Sequence, residues 1–380
     1  MRVTLPDPAA LIPGFAAAYA AQRAAERAGA EPAWQPVHTV YVPAGVFRAG
    51  TIAEWGRTAA SMLAAHLRSP GALAGVFGVS SPALAADVHR RVTAKLATEP
   101  VEDLRIDFGD GGGGDAAAED ARAESAARHV AQMHAAGRLP RRWGPRVGSF
   151  AAGDPVRSLR TLDGFLTAVS DLAGGLPPGL VITFPRVLQE AYLGQFADCL
   201  AALERGLGPA DGTLRFEMQV DDPRTLRFLR PGLVETAGGR LAAARFGVSG
   251  YTAACGLAPH EQRPDHPACD HARHVMQTAF AGTGVELADG SPALAPATAS
   301  AADVRALWRR HAALVAHSLS HGYYQGGDTH PAHLVSRYVA TYTFHLAHRP
   351  AYTAKAAAPT GPALTSLTTA LARAHHALGD

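Results

Sequence analysis

Cysteine is scarce in this chain, three in 380 residues, and Cys199, Cys255 and Cys269 lie far apart. Three scattered thiols do not make a disulfide framework, which points to a reducing compartment and a cytoplasmic protein. An excess of one charge is lacking too. Against 33 acids stand 35 Lys and Arg, a formal +2, so no global field draws the molecule to nucleic acid or an anionic membrane. No stretch reaches the roughly 18 apolar residues of a membrane span, and the start, MRVTLPDPAALIPGF, has no basic segment followed by a continuous apolar run. A soluble chain with no nucleic-acid and no membrane partner is expected. With 47% hydrophobic residues, it can bury a core the size of a barrel.

What is there alternates. Residues 7–30 are Ala-rich and favour helix, because Ala loses no side-chain entropy there. HTVYVPAGVF then reads as a strand at about 38–43, and DLRIDF as another at about 103–108. PRVGSF (145–150), GLVITFP, TLRFEMQV, LAAARFG, GTGVELA and GYYQGG supply six more. Helical patterns separate most of them. In VRSLRTLDGFLTAVSDLA, for instance, Leu159, Leu162, Phe165, Leu166 and Val169 share one face. Eight strands interleaved with helices is the count of an α/β (β/α)8 TIM barrel. The expected organisation is an N-terminal helical extension (1–37), the barrel (38–345) and a C-terminal helical segment (346–380).

The segment VEDLRIDFGDGGGGD (101–115) runs from a strand into acids and glycines. A phosphate cradle would need a Lys with Ser or Thr, or a G-x-G-x-x-G opening a helix, and neither is present. A flexible linker is one reading. The other places Asp107 and Asp110 at the C-terminal end of a barrel strand, where barrel enzymes carry their chemistry. RFEMQVDDP (215–223) raises the same question. Its alternation puts Glu217, Gln219 and Asp221 on one wholly polar face, which in a barrel strand points inward. Carboxylates there suit a hard divalent cation. A salt-bridged interior, with Arg105 or Arg215 neutralising the acids, explains them equally well.

These segments together resemble the HpcH/HpaI aldolase and citrate lyase β-subunit family, and malate synthases. LRIDFGDG is similar to the family's D-F-E-D strand end, PRVGSF to the segment carrying its enolate-binding Arg, and MQVDDP to its metal strand. RFGVSGYTAACG resembles F-G-x-x-D-Y-x-A-x-x-G, and HGYYQGGDTHPAHL the segment after the last strand. The likeness covers roughly 38–340 in the right order. It implies a phosphoenolpyruvate/pyruvate-type barrel in which two carboxylates hold Mg²⁺ or Mn²⁺, and in which a C–C bond of a small carboxylate or 2-oxo acid is broken or made through an enolate. On these positions Arg146 stabilises the enolate, with Asp107 and Asp110 orienting Arg146 or water. Asp221 and Glu217 bind metal, and Gln219, Gly247 and His330 line the substrate. A homo-oligomer is implied as well. The departures are specific. Asp221 stands where the family has Glu, Gly250 where it has the second ligand Asp, Gly109 where it has an acid and Gly327 where it has Trp. A diverged member is expected: either Asp222 or Glu217 substitutes for the missing ligand, or the barrel is a non-catalytic binding or interaction protein.

DHPACDHARH (265–274) invites zinc through His266, Cys269, His271 and His274. With Asp265 as N-cap of a helix, Cys269 and His271 point about 200° apart, which argues against it. His330 and His333 follow the last strand; a loop-ordering hydrogen bond competes with a place on the pocket rim.

Overall fold

The computed structural model describes residues 11–30, 32–109, 115–292, 294–356 and 362–379. The chain divides into two compact units, one formed by residues 35–347 and the other by 1–34 with 348–380. The larger unit begins with β1 (His38–Pro43), α2 (Thr51–His66), α3 (Pro70–Phe77), α4 (Pro82–Thr98) and β2 (Asp103–Asp107). It continues with α5 (Ala116–Ala135), β3 (Arg142–Arg146), α6 (Pro155–Ala173), β4 (Ile182–Phe184) and α7 (Ala191–Leu207). Then come β5 (Phe216–Val220), α8 (Pro223–Leu226), α9 (Leu233–Thr236), β6 (Leu241–Phe246) and α10 (Val248–Ala254). The unit's last elements are α11 (Pro267–Phe280), β7 (Glu286–Ala288), α12 (Ala301–Ser320), β8 (Gly326–Asp328) and most of α13 (Pro331–Ala356). In the smaller unit α1 (Phe15–Ala30) packs on α14 (Pro362–Leu378).

All pairings are parallel, in the order β7-β6-β5-β4-β3-β2-β1-β8. A parallel bridge between Ala288 and Gln325 joins β7 to β8, so the strands form the expected (β/α)8 barrel with helices added at both ends. Among the described residues, no single helix is long and apolar enough to cross a membrane.

Local chemistry sets the helix starts. Ser69, Ser81, Asp154 and Asp222 each accept a backbone N–H from the first turn and are each followed by Pro. That pairing satisfies an orphan donor and supplies a preset φ at the first helical residue. The same Ser-Pro signature opens α3 and α4, two helices absent from the expected alternation. β3 begins at Arg142 and ends at Arg146, three residues before the segment assigned to it, and Phe150–Ala152 form a short 3-10 turn instead. Within β3, Gly144 lets the neighbouring strand approach closely: a Cβ there would lie 2.0 Å from the carbonyl oxygen of Val181.

Strand alternation separates two cores. Val40, Val42, Leu104, Ile106, Phe184, Phe216 and Met218 are buried against the helix shell, where Phe184 and Phe196 stack at 4.2 Å and Phe216 meets Phe196 edge-on. The other face fills the barrel with polar groups that bond to one another, with Asp103 Oδ1 and Arg105 Nε left without a partner among the described residues. Thr39 Oγ1 donates to Asp103 Oδ2 (2.8 Å) and accepts from Gln325 Nε2 (2.8 Å) and Arg245 Nη2. Arg105 pairs with Asp103 at 3.1 Å, and Arg245 Nε with Glu217 Oε1 at 3.0 Å. Glu217 is hydrogen-bonded to Arg245; of the two arginines named from the sequence, Arg105 pairs with Asp103 and adds its field to Glu217, whereas Arg215 donates to the Leu241 carbonyl.

Candidate active site

The candidate site grows from the C-terminal ends of β1, β2, β3 and β5. Registered pairing sets Asp107 beside Arg146, and the Arg146 guanidinium donates through Nη1 to Asp107 Oδ1 (2.9 Å) and through Nε to Gln219 Oε1 (3.2 Å). Gln219 Nε2 in turn donates to the Tyr41 hydroxyl at 3.4 Å. Tyr41 lies under the Arg245 cation, 5.6 Å from ring centroid to guanidinium carbon, and burial pushes its hydroxyl up to about 12, so it stays a neutral floor group. Sequence reading passed over Tyr41. The signal was available in HTVYVP, where Thr39 and Tyr41 share the face opposite Val40 and Val42.

Gly109 holds this geometry open. Its N–H donates to Asp107 Oδ1 at 2.8 Å, and a Cβ at this position would lie 2.2 Å from Arg146 Nη1. The clash falls on the far end of a long side chain rather than on backbone, so Gly109→Ala is expected to move Arg146 off Asp107 at little cost in stability. An unfolding midpoint matching the wild type within about 0.5 kcal/mol, with weakened binding of a 2-oxo acid, is the expected outcome. A cavity of ≈ 260 Å³ adjoins this point, lined by Phe108, Gly109, Gly148, Ser149, Arg157 and Ser158 among others. Asp110 falls outside the described residues.

Asp221, the residue after β5, differs from the other acids. Its Oδ1 is buried and accepts no hydrogen bond. Burial pushes the carboxyl up to about 6, against the pull of Arg146 and Arg186. Arg186, following β4, has φ +49°, a left-handed backbone uncommon for a residue with a side chain. Two glycines close over Asp221. A Cβ on Gly247 would lie 2.5 Å from Asp221 Cβ, and one on Gly250 would lie 2.8 Å from the Asp221 carbonyl oxygen. The turn at 247–250 therefore packs its backbone directly on the acid.

The neighbouring acids are engaged. Glu217, 1% exposed, accepts from Arg245 and from Thr183 Oγ1 (3.2 Å). Burial alone would raise it, but Arg245 and Arg105 outweigh burial and hold it below its usual range. Asp222 caps α8 and takes both ends of Arg224, at 2.9 and 2.7 Å. Among the described residues, Asp221 Oδ1 is thus a buried carboxylate oxygen at this end of the barrel that accepts no hydrogen bond. The donor set does not fit a divalent ion held by two protein carboxylates: position 250 has no side chain, and both candidate substitutes are held by arginines.

The histidines after β8 make local contacts. His330 Nδ1 accepts the Ala332 N–H at 3.1 Å, the loop-ordering bond that competed with a rim position. His333 is fully buried, stacked on His311 at 4.3 Å. Beside them Asp328 takes Arg337 at 2.9 Å and His38 at 3.0 Å. In the 265–274 segment His266, not Asp265, caps α11, its Nδ1 accepting from Ala268 N–H at 3.1 Å.

The fold has known counterparts. A malate synthase from Haloferax volcanii superposes with TM-score 0.55 at 13% identity, covering 80% of this chain and 74% of that one. The same enzyme's magnesium/glyoxylate complex gives 0.52 at 13%, covering 88% and 97%. A citrate lyase from Burkholderia xenovorans LB400 gives 0.54 at 18%, covering 75% and 87%. Identities this low bear on fold alone. No curated protein matches the sequence. A family model does match, over residues 16–358. The chain belongs to that family, described as a domain of unknown function (DUF6986).

Proposed function

We propose that this barrel is a carbon–carbon lyase of the aldolase type, acting on a small 2-oxo acid or other carboxylic acid through an enolate. The observation that carries the reading is Asp221: a largely buried carboxyl whose Oδ1 accepts no hydrogen bond, raised to about 6 by burial within the field of two arginines. A general base works best when poised near the operating pH, and an arginine held by Asp107 and Gln219 is a preorganised partner for a developing oxyanion. The sequence's lysines are Lys95 and Lys355. Lys95 is tied to Glu99 and Glu102 at 2.5 and 2.6 Å, so the barrel unit's lysine is engaged away from Schiff-base chemistry, and Lys355 belongs to the smaller unit.

In the cleavage direction, the substrate carboxylate lies against the rim arginines and its hydroxyl proton passes to Asp221 Oδ1. In a 4-hydroxy-2-oxo acid the C3–C4 bond then breaks, C4 leaves as the aldehyde, the electron pair forms the C2–C3 enolate, and Arg146 balances the charge on the C2 oxygen. Asp221 then returns the proton to carbon. Like-charged acids are kept from the substrate because each is neutralised by its own arginine.

The family likeness of the sequence also implies Mg²⁺ or Mn²⁺. At the positions of that likeness the described residues hold one carboxylate not bound by an arginine, Asp221, where such an ion would need two. Calorimetric titration of the metal-stripped protein with Mg²⁺ is expected to show binding no tighter than about millimolar, as for a hard ion with one carboxylate and water ligands. Stoichiometric micromolar binding would mean that Asp110 or a rebuilt turn completes the site.

Enolate formation has a direct test that requires no aldehyde partner. Pyruvate incubated with the protein in D₂O is followed by proton NMR for loss of its methyl signal, with oxaloacetate and other short 2-oxo acids in parallel. Catalysed exchange that vanishes in Arg146→Ala is the expected result. Binding of these acids without any exchange would favour the rival reading, a non-catalytic binding barrel, which the emptied position at Gly250 supports.

A further inference from the structure

We infer that Asp270, His317 and His321 form a binding site for a divalent transition-metal ion of the zinc type, on the helix shell between α11 and α12. The three residues each present one ligand atom, and these atoms lie within 4.8 Å of one another. His317 and His321 are four residues apart at the end of α12, so they project on the same side of the helix. Their rings sit 4.4 Å apart. Both Nε2 atoms face Asp270 Oδ1, at 2.8 Å from His317 and 3.8 Å from His321.

Two details go beyond proximity. His321 Nδ1 lies 2.9 Å from the backbone carbonyl of His317. That acceptor requires the proton on Nδ1, which leaves the Nε2 lone pair directed at the cluster; fixing the tautomer this way is how metal-binding histidines are oriented. Asp270 is held as well. Arg273, itself 0% exposed and bound at both ends to Asp289 (3.1 Å each), donates through Nη1 to Asp270 Oδ1 at 2.6 Å. Asp270 Oδ2 is left for a ligand. Hydrogen-bonded carboxylates of this kind support metal ligands in an outer shell.

The side chains remain 23–26% exposed, so an ion has an entry path. Two imidazoles and one carboxylate suit Zn²⁺, Ni²⁺ or Cu²⁺ rather than Mg²⁺, with a fourth position left to water or another ligand. The site draws on none of the residues assigned to the enolate chemistry. It also differs from the His and Cys set that the 265–274 sequence suggests: α11 contributes its Asp, and the histidines come from α12, some 47 residues away.

The test uses the full chain, stripped with chelator and dialysed against Zn²⁺, with bound metal counted by mass spectrometry and Co²⁺ absorption reporting ligand geometry. One saturable equivalent is expected, with Co²⁺ bands of a nitrogen and oxygen site. His317→Ala and His321→Ala should each weaken binding at least ~10-fold, and the double variant should lose the equivalent. His274→Ala, whose ring stacks on His321 at 5.5 Å without belonging to the ligand set, should leave the stoichiometry unchanged. Zn²⁺ should raise the unfolding temperature of the wild type and not of the double variant. An equivalent that survives in the folded double variant, or no saturable binding by the wild type, would overturn the assignment.

Discussion

Asp221→Asn is expected to slow proton exchange about 10²- to 10⁴-fold, the range for losing a positioned general base, and at the same time to make the protein more stable at pH 8. The stability gain follows from the direction of the shift. The folded state raises the Asp221 carboxyl to about 6, above the value near 3.9 of an unfolded chain, so it binds the proton more tightly than the unfolded state does. The ionised side chain therefore destabilises the fold by an amount that is absent below about pH 4, grows to about pH 6 and is constant above it. A two-unit shift sets an upper bound near 3 kcal/mol, and relaxation around a carboxyl that is not fully enclosed brings the expectation to about 1–2 kcal/mol. Denaturant unfolding of variant and wild type at pH 8 and pH 4 measures it, with the advantage of the variant confined to pH 8. The wild-type exchange rate should rise through about pH 6 and then level off, as the base form of Asp221 accumulates. A variant less stable than the wild type at pH 8 would show that the acid supports the fold.

Glu217→Gln is expected to do the opposite, costing about 3–5 kcal/mol, the penalty for removing one partner of a buried pair. Arg245 is 2% exposed, and without Glu217 its charge is left to dipoles from Thr39 and the carbonyl of Asp289, 3.0 Å away. Should the single variant fail to fold, the pair Glu217→Met with Arg245→Met separates the causes. Matched apolar residues are expected to recover much of the loss, so a double variant no better than the single one would refute the charge-pair account. The measurement is the urea midpoint of each soluble protein.

The barrel was legible because strand alternation and spacing are local. His38–Pro43 and the polar face of Phe216–Val220 lie where the pattern puts them, and the order of segments placed Arg146 at a strand end next to Asp107. Other features depend on contacts between distant segments. The close approach of the Val181 carbonyl to Gly144 in β3 lies in no window around PRVGSF. Arg245 as the partner of Glu217 depends on the register of β5 with β6, which skips a residue between Phe216 and Glu217. The α3 and α4 helices were missed although Ser69-Pro70 and Ser81-Pro82 mark both starts. The cluster on α11 and α12 joins residues 47 apart, and no spacing rule would have paired them.

The backbone packed on Asp221 also limits how this barrel can be re-engineered. Writing Asp at 250 would restore the sequence pattern of two-carboxylate relatives, yet its Cβ would begin 2.8 Å from a carbonyl oxygen that belongs to a rigid strand end, and overpacking of this sort costs about 1–3 kcal/mol. The 247–250 turn would have to be redrawn before the acid is added. A designer, or a lineage moving by single substitutions, thus meets the penalty first and the new ligand only afterwards, which makes the glycine a one-way step.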